Sequence, residues 1–339
     1  MKLLTIVVPC YNSQEYLRKC LNSCLCGGEK LEVLIVNDGS KDNTLKIAQE
    51  YQLSYPNIFI VIDKENGGHG SAINEGIKRG SGLFFKVLDS DDWFDETALL
   101  TFLDKIEEHY NQKINIDIYF TNYVHEHVYT NKSILHEYTN MTSNQITNWN
   151  SVRHFSVFSP IMIHAFSAKL SILKQANISL PLKISYDDLL FSYMVMPLVK
   201  DIYYLPINLY RYFIGRPDQS INVSISVKKY KDYLFVLNEA FYAYSYKEIK
   251  KLSKGLRNIT FKQIEDIYLI AILFTTFEYS KDKIKLIRSI KREYKKHDIK
   301  LYRHLFFFTM VGWIGGLPYF LQRIVYNRGY KYVQKKLGY

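Results

Sequence analysis

Four short, mostly apolar runs, at 3–8, 32–36, 58–62 and 83–88, constrain this chain more than any other feature. The first, Leu3–Val8, is continuous and rich in β-branched residues, the pattern of a parallel strand covered on both faces. The stretches between the runs carry helical spacing. Tyr16, Leu17, Cys20, Leu21 and Cys24 fall on one face after the first run, and Asn12 and Ser13 are placed to cap that helix. Gly27-Gly28 ends it. Thr44, Ile47, Ala48 and Tyr51 follow the second run, and a helix over 72–78 follows the third. Strands alternating with helices imply right-handed βαβ units and an open, mostly parallel α/β sheet with helices on both faces. Ligands of such sheets bind beyond the carboxyl ends of the strands. That edge receives Pro9-Cys10-Tyr11-Asn12, Asn37-Asp38-Gly39-Ser40, Asn66-Gly67-Gly68-His69-Gly70-Ser71 and Asp89-Ser90-Asp91-Asp92.

The 339 residues suffice for a large core, and two regions are expected. Residues 1–220 form the α/β part, with a mixed stretch from 114 that holds a strand at 116–120, a hairpin within 121–138, a helix over 187–195 and short extended segments at 203–204 and 209–213. Residues 221–339 read as helical and basic. The net charge of +11 belongs to this last third, which has 24 Lys and Arg against 9 Asp and Glu, whereas 1–220 has 20 against 24. A basic region of this kind calls for an anionic partner. Nucleic acid is set aside because no reader module accompanies the charge. All four cysteines lie between Cys10 and Cys26 with no histidine nearby, a pattern of free thiols in a reducing cytosol rather than a metal site. The run at 3–8 is too short for a signal peptide.

Three carboxylates in the four residues 89–92 repel one another unless something positive sits among them. Carboxylates at i and i+2 of an extended segment can share a side and hold a hard divalent cation, Mn²⁺ or Mg²⁺, together with phosphate oxygens. A solvated turn that caps the next helix is the plainer reading, and the position after a buried strand favours the metal. Asp38 can accept from a pyrimidine N–H, or Asp38-Gly39-Ser40 is an ordinary strand-to-helix turn. The loop 66–71 opens a helix, so its backbone N–H groups can approach phosphate.

Taken in order, Ile6-Val7-Val8-Pro9-Cys10-Tyr11-Asn12, Val36-Asn37-Asp38-Gly39-Ser40-Lys41-Asp42, Glu65-Asn66-Gly67-Gly68 and Leu88-Asp89-Ser90-Asp91-Asp92 resemble the N-terminal half of family 2 glycosyltransferases. The resemblance is tight over about the first 100 residues and extends loosely to about 220. It implies a GT-A fold and a nucleotide-sugar donor, with UDP-sugars first. Pro9, Tyr11, Asn12, Asp38, Gly39, Asn66, Gly67, Gly68, Asp89 and Ser90 would line the donor site, and Asp89 and Asp91 would bind the metal. Many members carry Ala-Arg-Asn where this chain has Ala72-Ile73-Asn74, so that arginine's contact is missing or supplied elsewhere. Lys86 either replaces its charge or faces solvent, and His69 reads as a solvent-facing loop residue.

The resemblance also implies an inverting reaction with a carboxylate base in an acidic pair at a helix start. Ser185-Tyr186-Asp187-Asp188-Leu189-Leu190-Phe191 matches it, with Asp188 as base and Asp187 where glutamate is usual. Helix capping by Asp187 is the competing role. Arg211 and Arg216 either contact the diphosphate or form surface ion pairs.

A charge-free stretch over 305–321 is flanked by Arg303, Arg323, Arg328, Lys331, Lys335 and Lys336. It suits an interfacial helix on anionic lipid, or a buried bundle helix. The expectation is a cytoplasmic enzyme held peripherally on the inner face of a bacterial membrane. It would extend a cell-envelope glycan or lipid-linked acceptor, with homo-oligomerisation left open. A catalytically inactive nucleotide-sugar-binding scaffold is the alternative. A nucleotidyltransferase ranks lower because no basic, Gly-rich loop follows the first strand.

Overall fold

The first apolar run forms β1 (Leu4–Cys10), buried at every position except Pro9. In the computed structural model, which describes residues 1–153, 155, 161–216, 219, 222–278, 280–307, 317, 318, 320, 321, 324, 325, 328 and 331, this strand lies at the centre of the parallel part of the sheet. After α1 (Leu17–Asn22), β2 (Leu31–Asp38) pairs with β1 in parallel and is buried at all eight positions. Next come α2 (Thr44–Ser54) and β3 (Phe59–Lys64), the latter half exposed, as suits the edge of the sheet. The helix α3 (His69–Arg79) crosses back over β1. A methyl group at Gly76 would come within 2.7 Å of the Val7 side chain, so glycine sets how closely this helix approaches the strand. The fourth run gives β4 (Phe84–Val87), parallel to β1 on its other side.

Beyond β4 the chain forms β5 (Trp93–Phe94) and α4 (Glu96–Asn111), whose first turn is capped by the Asp95 carboxylate accepting from Ala98 N–H at 3.0 Å. Then follow β6 (Ile118–His127), β7 (Lys132–His136), β8 (Ile146–Thr147), β9 (Phe166–Lys169), α5 (Leu170–Gln175), α6 (Asp187–Val195) and β10 (Ile202–Ile214). All ten strands join one sheet in the order β3-β2-β1-β4-β9-β6-β10-β5, with β7 on β6 and β8 on β10. β9 is antiparallel to both β4 and β6, and β10 runs parallel to β6. The four expected strands, the hairpin (β6 with β7) and the helix at 187–195 are all present.

One difference is instructive. The segments at 203–204 and 209–213 are a single thirteen-residue strand, not two. Between them, Pro206 is exposed at an irregularity where the pairing to β6 shifts register between Leu205 and Tyr210. Proline is tolerated in a sheet at such a bulge.

The chain divides into two compact units, Met1–His154 with Met162–Gly215, and Phe155–Ile161 with Arg216–Tyr339. The second unit contains α7 (Val223–Lys228), α8 (Tyr230–Ala243), α9 (Tyr246–Lys251), α10 (Lys254–Thr276), α11 (Lys281–His297) and α12 (Ile299–Phe307). Its core is aromatic. Tyr233 stacks on Phe274, and Phe241 lies parallel to Tyr294 with ring centres 3.8 Å apart. Of the stretch 305–321, residues 308–316 and 319 lie outside the described residues, as do Arg323, Lys335 and Lys336. Among the described residues no helix is long and apolar enough to cross a membrane.

Candidate active site

Side chains tie the loops at the carboxyl edge of β1, β2 and β4 together. Asn12, in the left-handed region (φ 49°), donates its N–H to Ser40 Oγ at 3.0 Å and accepts from Lys41 N–H at 2.8 Å. Ser13 N–H reaches Thr44 Oγ1 at 2.7 Å, and Ser13 Oγ lies 2.7 Å from Ser90 Oγ. Tyr11 stands out from this edge, 54% exposed, with Pro9 half-buried beneath it at the end of β1. Free thiols lie just below. Cys10, Cys20 and Cys24 are buried and Cys26 is half-buried, with burial pushing all four thiols up.

Asp38 is buried and already committed. Its Oδ1 accepts from Lys64 Nζ at 2.7 Å and Gly67 N–H at 2.8 Å, and its Oδ2 accepts from Gly68 N–H at 2.7 Å. Asn66 adds a bond from its amide to the Asp38 carbonyl at 2.9 Å. The N–H groups of Gly67 and Gly68 are therefore spent on Asp38 and do not point towards phosphate, which corrects the anion-binding expectation for them. The glycines have another use. Gly39 (φ 73°) turns the chain where a methyl group would meet Asn66 N at 3.0 Å. A methyl at Gly68 (φ 85°) would meet Lys183 N at 2.9 Å, and one at Gly70 would meet Asp187 Oδ2 at 2.6 Å. Lys183 N–H donates to the Gly67 carbonyl at 2.7 Å, and the Asn74 side chain clasps the backbone of Leu180 in both directions at 2.8 and 2.9 Å. The Gly-rich loop and α3 are thus the seat of the 180–188 segment.

The three carboxylates after β4 separate by burial. Asp92 is only 1% exposed. Its Oδ2 accepts from the Tyr210 hydroxyl at 2.6 Å and its Oδ1 from Phe213 N–H at 2.7 Å. Burial, with Asp91 and Asp89 nearby, pushes its carboxyl well above the ordinary range. The Tyr210 oxygen also accepts from Asp89 N–H at 3.1 Å. Asp92 therefore anchors the loop to β10, and Asp89 and Asp91 remain half-buried at the edge. Among the described residues no three His, Cys, Asp or Glu side chains gather to hold a metal ion by themselves. Two carboxylates at a ligand edge still fit a hard cation that draws its other ligands from phosphate and water.

Across the edge stands the start of α6. Tyr186 precedes it in the left-handed region (φ 66°, ψ 24°), a strained conformation for an aromatic residue, and its own side chain does not cap the helix. Asp187 does not cap. It is buried, with both carboxylate oxygens against His69 Nδ1 at 3.0 and 3.2 Å. His69 Nε2 lies 3.1 Å from Asp89 Oδ1. His69 is therefore not a solvent-facing loop residue, because it bridges two carboxylates. Each ring nitrogen lies within hydrogen-bonding distance of a carboxylate, an arrangement that suits the doubly protonated ring. Burial opposes its charge, but Asp187 and Asp89 push its pKa well above the ordinary value. Asp188 is half-buried, and burial first, then the Asp187 charge, pushes its carboxyl up to about 6.

Two further expectations change. Lys86 neither faces solvent nor reaches the edge. It is 1% exposed and donates to the carbonyls of His164 (2.9 Å) and Phe166 (3.3 Å), with burial pushing its ammonium down to about 7. Arg211 pairs with Asp95 at 2.7 Å and Glu126 at 2.9 Å. Successive strand residues point to opposite faces. Tyr210 faces Asp89 and Asp92, so Arg211 faces away from them. Arg216 belongs to the second unit, where its backbone is tied to Gln219 and Asn222.

The sheet order and the loops at its edge define a GT-A glycosyltransferase fold. Two solved structures support that assignment. S. aureus TarS 1–349 in complex with UDP-GlcNAc superposes with TM-score 0.56 at 19% identity over 90% of each chain. The mannosyltransferase PcManGT from Pyrobaculum calidifontis, in complex with GDP-Man and Mn2+, superposes with TM-score 0.52 at 13% identity over 89% of this chain and 84% of that one. Residues 5–167 match the model of glycosyl transferase family 2. Similar curated proteins include glycosyltransferase GlyA of Streptococcus pneumoniae, 36% identical over 119 residues, or 35% of this chain and 17% of the relative. An uncharacterized glycosyltransferase of Mycoplasma genitalium, MG025, is 44% identical over 97 residues, 27% of this chain and 32% of its own. The minor teichoic acid biosynthesis protein GgaB of Bacillus subtilis is 34% identical over 111 residues, 32% of this chain and 12% of its own. The matches span less than half the length of these relatives.

Proposed function

We propose that the protein is an inverting glycosyltransferase that moves a sugar from a nucleotide-diphosphate sugar, a UDP-sugar first, to a hydroxyl of a cell-envelope glycan or lipid-linked acceptor. The observation that carries this reading is that acidic residues from two parts of the chain meet at the sheet edge: Asp89 and Asp91 after β4, and the start of α6, where Asp188 is near enough for the Asp89 charge to act on its carboxyl. Asp188, with its carboxyl near 6, is largely ionised at neutral pH yet basic enough to take a proton, as a general base requires. It takes the proton of the acceptor hydroxyl as that oxygen attacks the anomeric carbon. The bond from that carbon to the diphosphate breaks on the opposite face. Asp89 and Asp91 would hold Mn²⁺ or Mg²⁺, which supplies positive charge for the departing diphosphate. Tyr11, exposed just beyond β1, would lie against the base of the nucleotide. The UDP-GlcNAc held by TarS and the GDP-Man with Mn2+ held by PcManGT make those donors the first to try.

The second unit supports an anionic membrane surface at the inner face as the place of work. Along α11, Lys281, Lys285, Arg288, Arg292, Lys295 and Lys296 are exposed. A thermal-shift screen of UDP-, dTDP- and GDP-sugars with and without Mn²⁺ tests the donor reading, since a ligand of the folded state alone raises its stability. Stabilisation by one donor that Asp91→Asn abolishes is expected. No response to any donor would overturn the reading.

A further inference from the structure

Nothing in the sequence motifs pairs residue 69 with residue 187, which lie 118 positions apart. In the fold one imidazole closes the gap between the two sides of the site. Its Nδ1 lies at 3.0 Å from Asp187, which directly precedes Asp188, and its Nε2 at 3.1 Å from Asp89, the first carboxylate of the β4 loop. We infer that His69 is a positioning residue that fixes the acceptor-side helix start and the donor-side carboxylate in one frame, holding Asp188 through Asp187 and orienting Asp89 directly.

Three features make the bridge a built one. Asp187 is buried with His69 as its side-chain partner, so its carboxylate is spent inside the site and not on the helix cap. The residue before it, Tyr186, is held in a left-handed conformation, which local preference alone does not maintain. Gly70 leaves room for the Asp187 carboxylate, since a methyl group there would sit 2.6 Å from Oδ2. A ring held by hydrogen bonds at both nitrogens is fixed in one orientation. It restrains Asp187 and, through the first turn of α6, the side chain that follows.

This inference rests on the glycosyltransferase reading, and its two contacts can be separated. A glutamine amide reaches about where Nε2 stands and an asparagine amide about where Nδ1 stands. His69→Gln keeps the Asp89 contact and frees Asp187. His69→Asn keeps the Asp187 contact and frees Asp89. The assay is release of nucleotide diphosphate from UDP-GlcNAc, UDP-glucose and GDP-mannose with Mn²⁺, using the full chain, with thermal unfolding to confirm that each variant folds. For His69→Gln, kcat falls about 10²-fold with donor KM near that of the unmodified protein, the size expected when a catalytic group is misplaced by about 1 Å. For His69→Asn, donor KM rises about tenfold and kcat stays closer to normal, as for loss of one charged hydrogen bond. His69→Ala shows both defects. Equal losses in both parameters for Gln and Asn, or no loss in either, would overturn the bridge while leaving an active glycosyltransferase. An unmodified protein that turns over none of the three donors would overturn the enzyme reading, and the positioning role with it.

Discussion

The two sides of the site are held in different ways. On the donor side, the loops after β1, β2 and β3 are laced by side-chain-to-backbone bonds between residues 28 to 30 apart, such as Asn12 with Ser40 and Asp38 with Gly67 and Gly68. The acceptor side, and the tie of the β4 loop to β10, rest instead on single side chains that span 118 to 121 residues, His69 to Asp187 and Tyr210 to Asp92 and Asp89. The donor edge is a local product of consecutive βαβ units. The base side exists only once the 180–188 segment has been seated on the Gly-rich loop and α3. Damage to the first side should show up in donor binding, and damage to the second in turnover.

The sharpest break of this comparison is Asp188→Asn. Transfer is expected to fall about 10³-fold, the scale of a lost general base, while donor affinity measured by calorimetry stays within about threefold. Normal transfer would place the base elsewhere. Gly70→Ala comes next. Its methyl group would press on Asp187 Oδ2, Leu180 and Pro181, so kcat should drop about 10²-fold with donor binding retained. A pH profile follows. The base must be ionised, and its carboxyl lies near 6, so transfer is constant above that value and falls about tenfold per pH unit below it. Tyr210→Phe leaves Asp92 Oδ2 and Asp89 N–H without their shared partner and should cost about 1–3 kcal/mol in urea unfolding. The smallest effect belongs to Arg211→Met. Its ion pairs with Asp95 and Glu126 are partly exposed, so stability should change by about 1 kcal/mol or less. Donor affinity should not change, and a large loss would return Arg211 to the diphosphate.

The sequence carried the donor side because continuous apolar runs define buried parallel strands without any partner in view. It also carried the acidic pair at the start of α6. It did not carry β10 as one strand, because Pro206 reads as an end and only the pairing to β6 shows a bulge. The place of Lys86 is hidden for a similar reason. A lysine in a strand looks solvated until His164 and Phe166 bring their carbonyls over it. His69 sat inside a recognisable motif with no local sign of its work, since its partners come from β4 and α6. Asp38 was legible as a site residue, but its hold on Gly67 and Gly68 depends on how two loops approach each other.

The seating of 180–188 on the Gly-rich loop has a consequence for synthesis. A chain emerging from the ribosome completes β1 to β4 and their loops well before residue 187 exists. Contacts that close so large a loop form late. Until they do, the nascent chain displays a donor edge with neither Asp187 nor Asp188 beside it. On the proposed mechanism such a chain would lack the carboxylate that activates a hydroxyl, and would hold a donor without cleaving it.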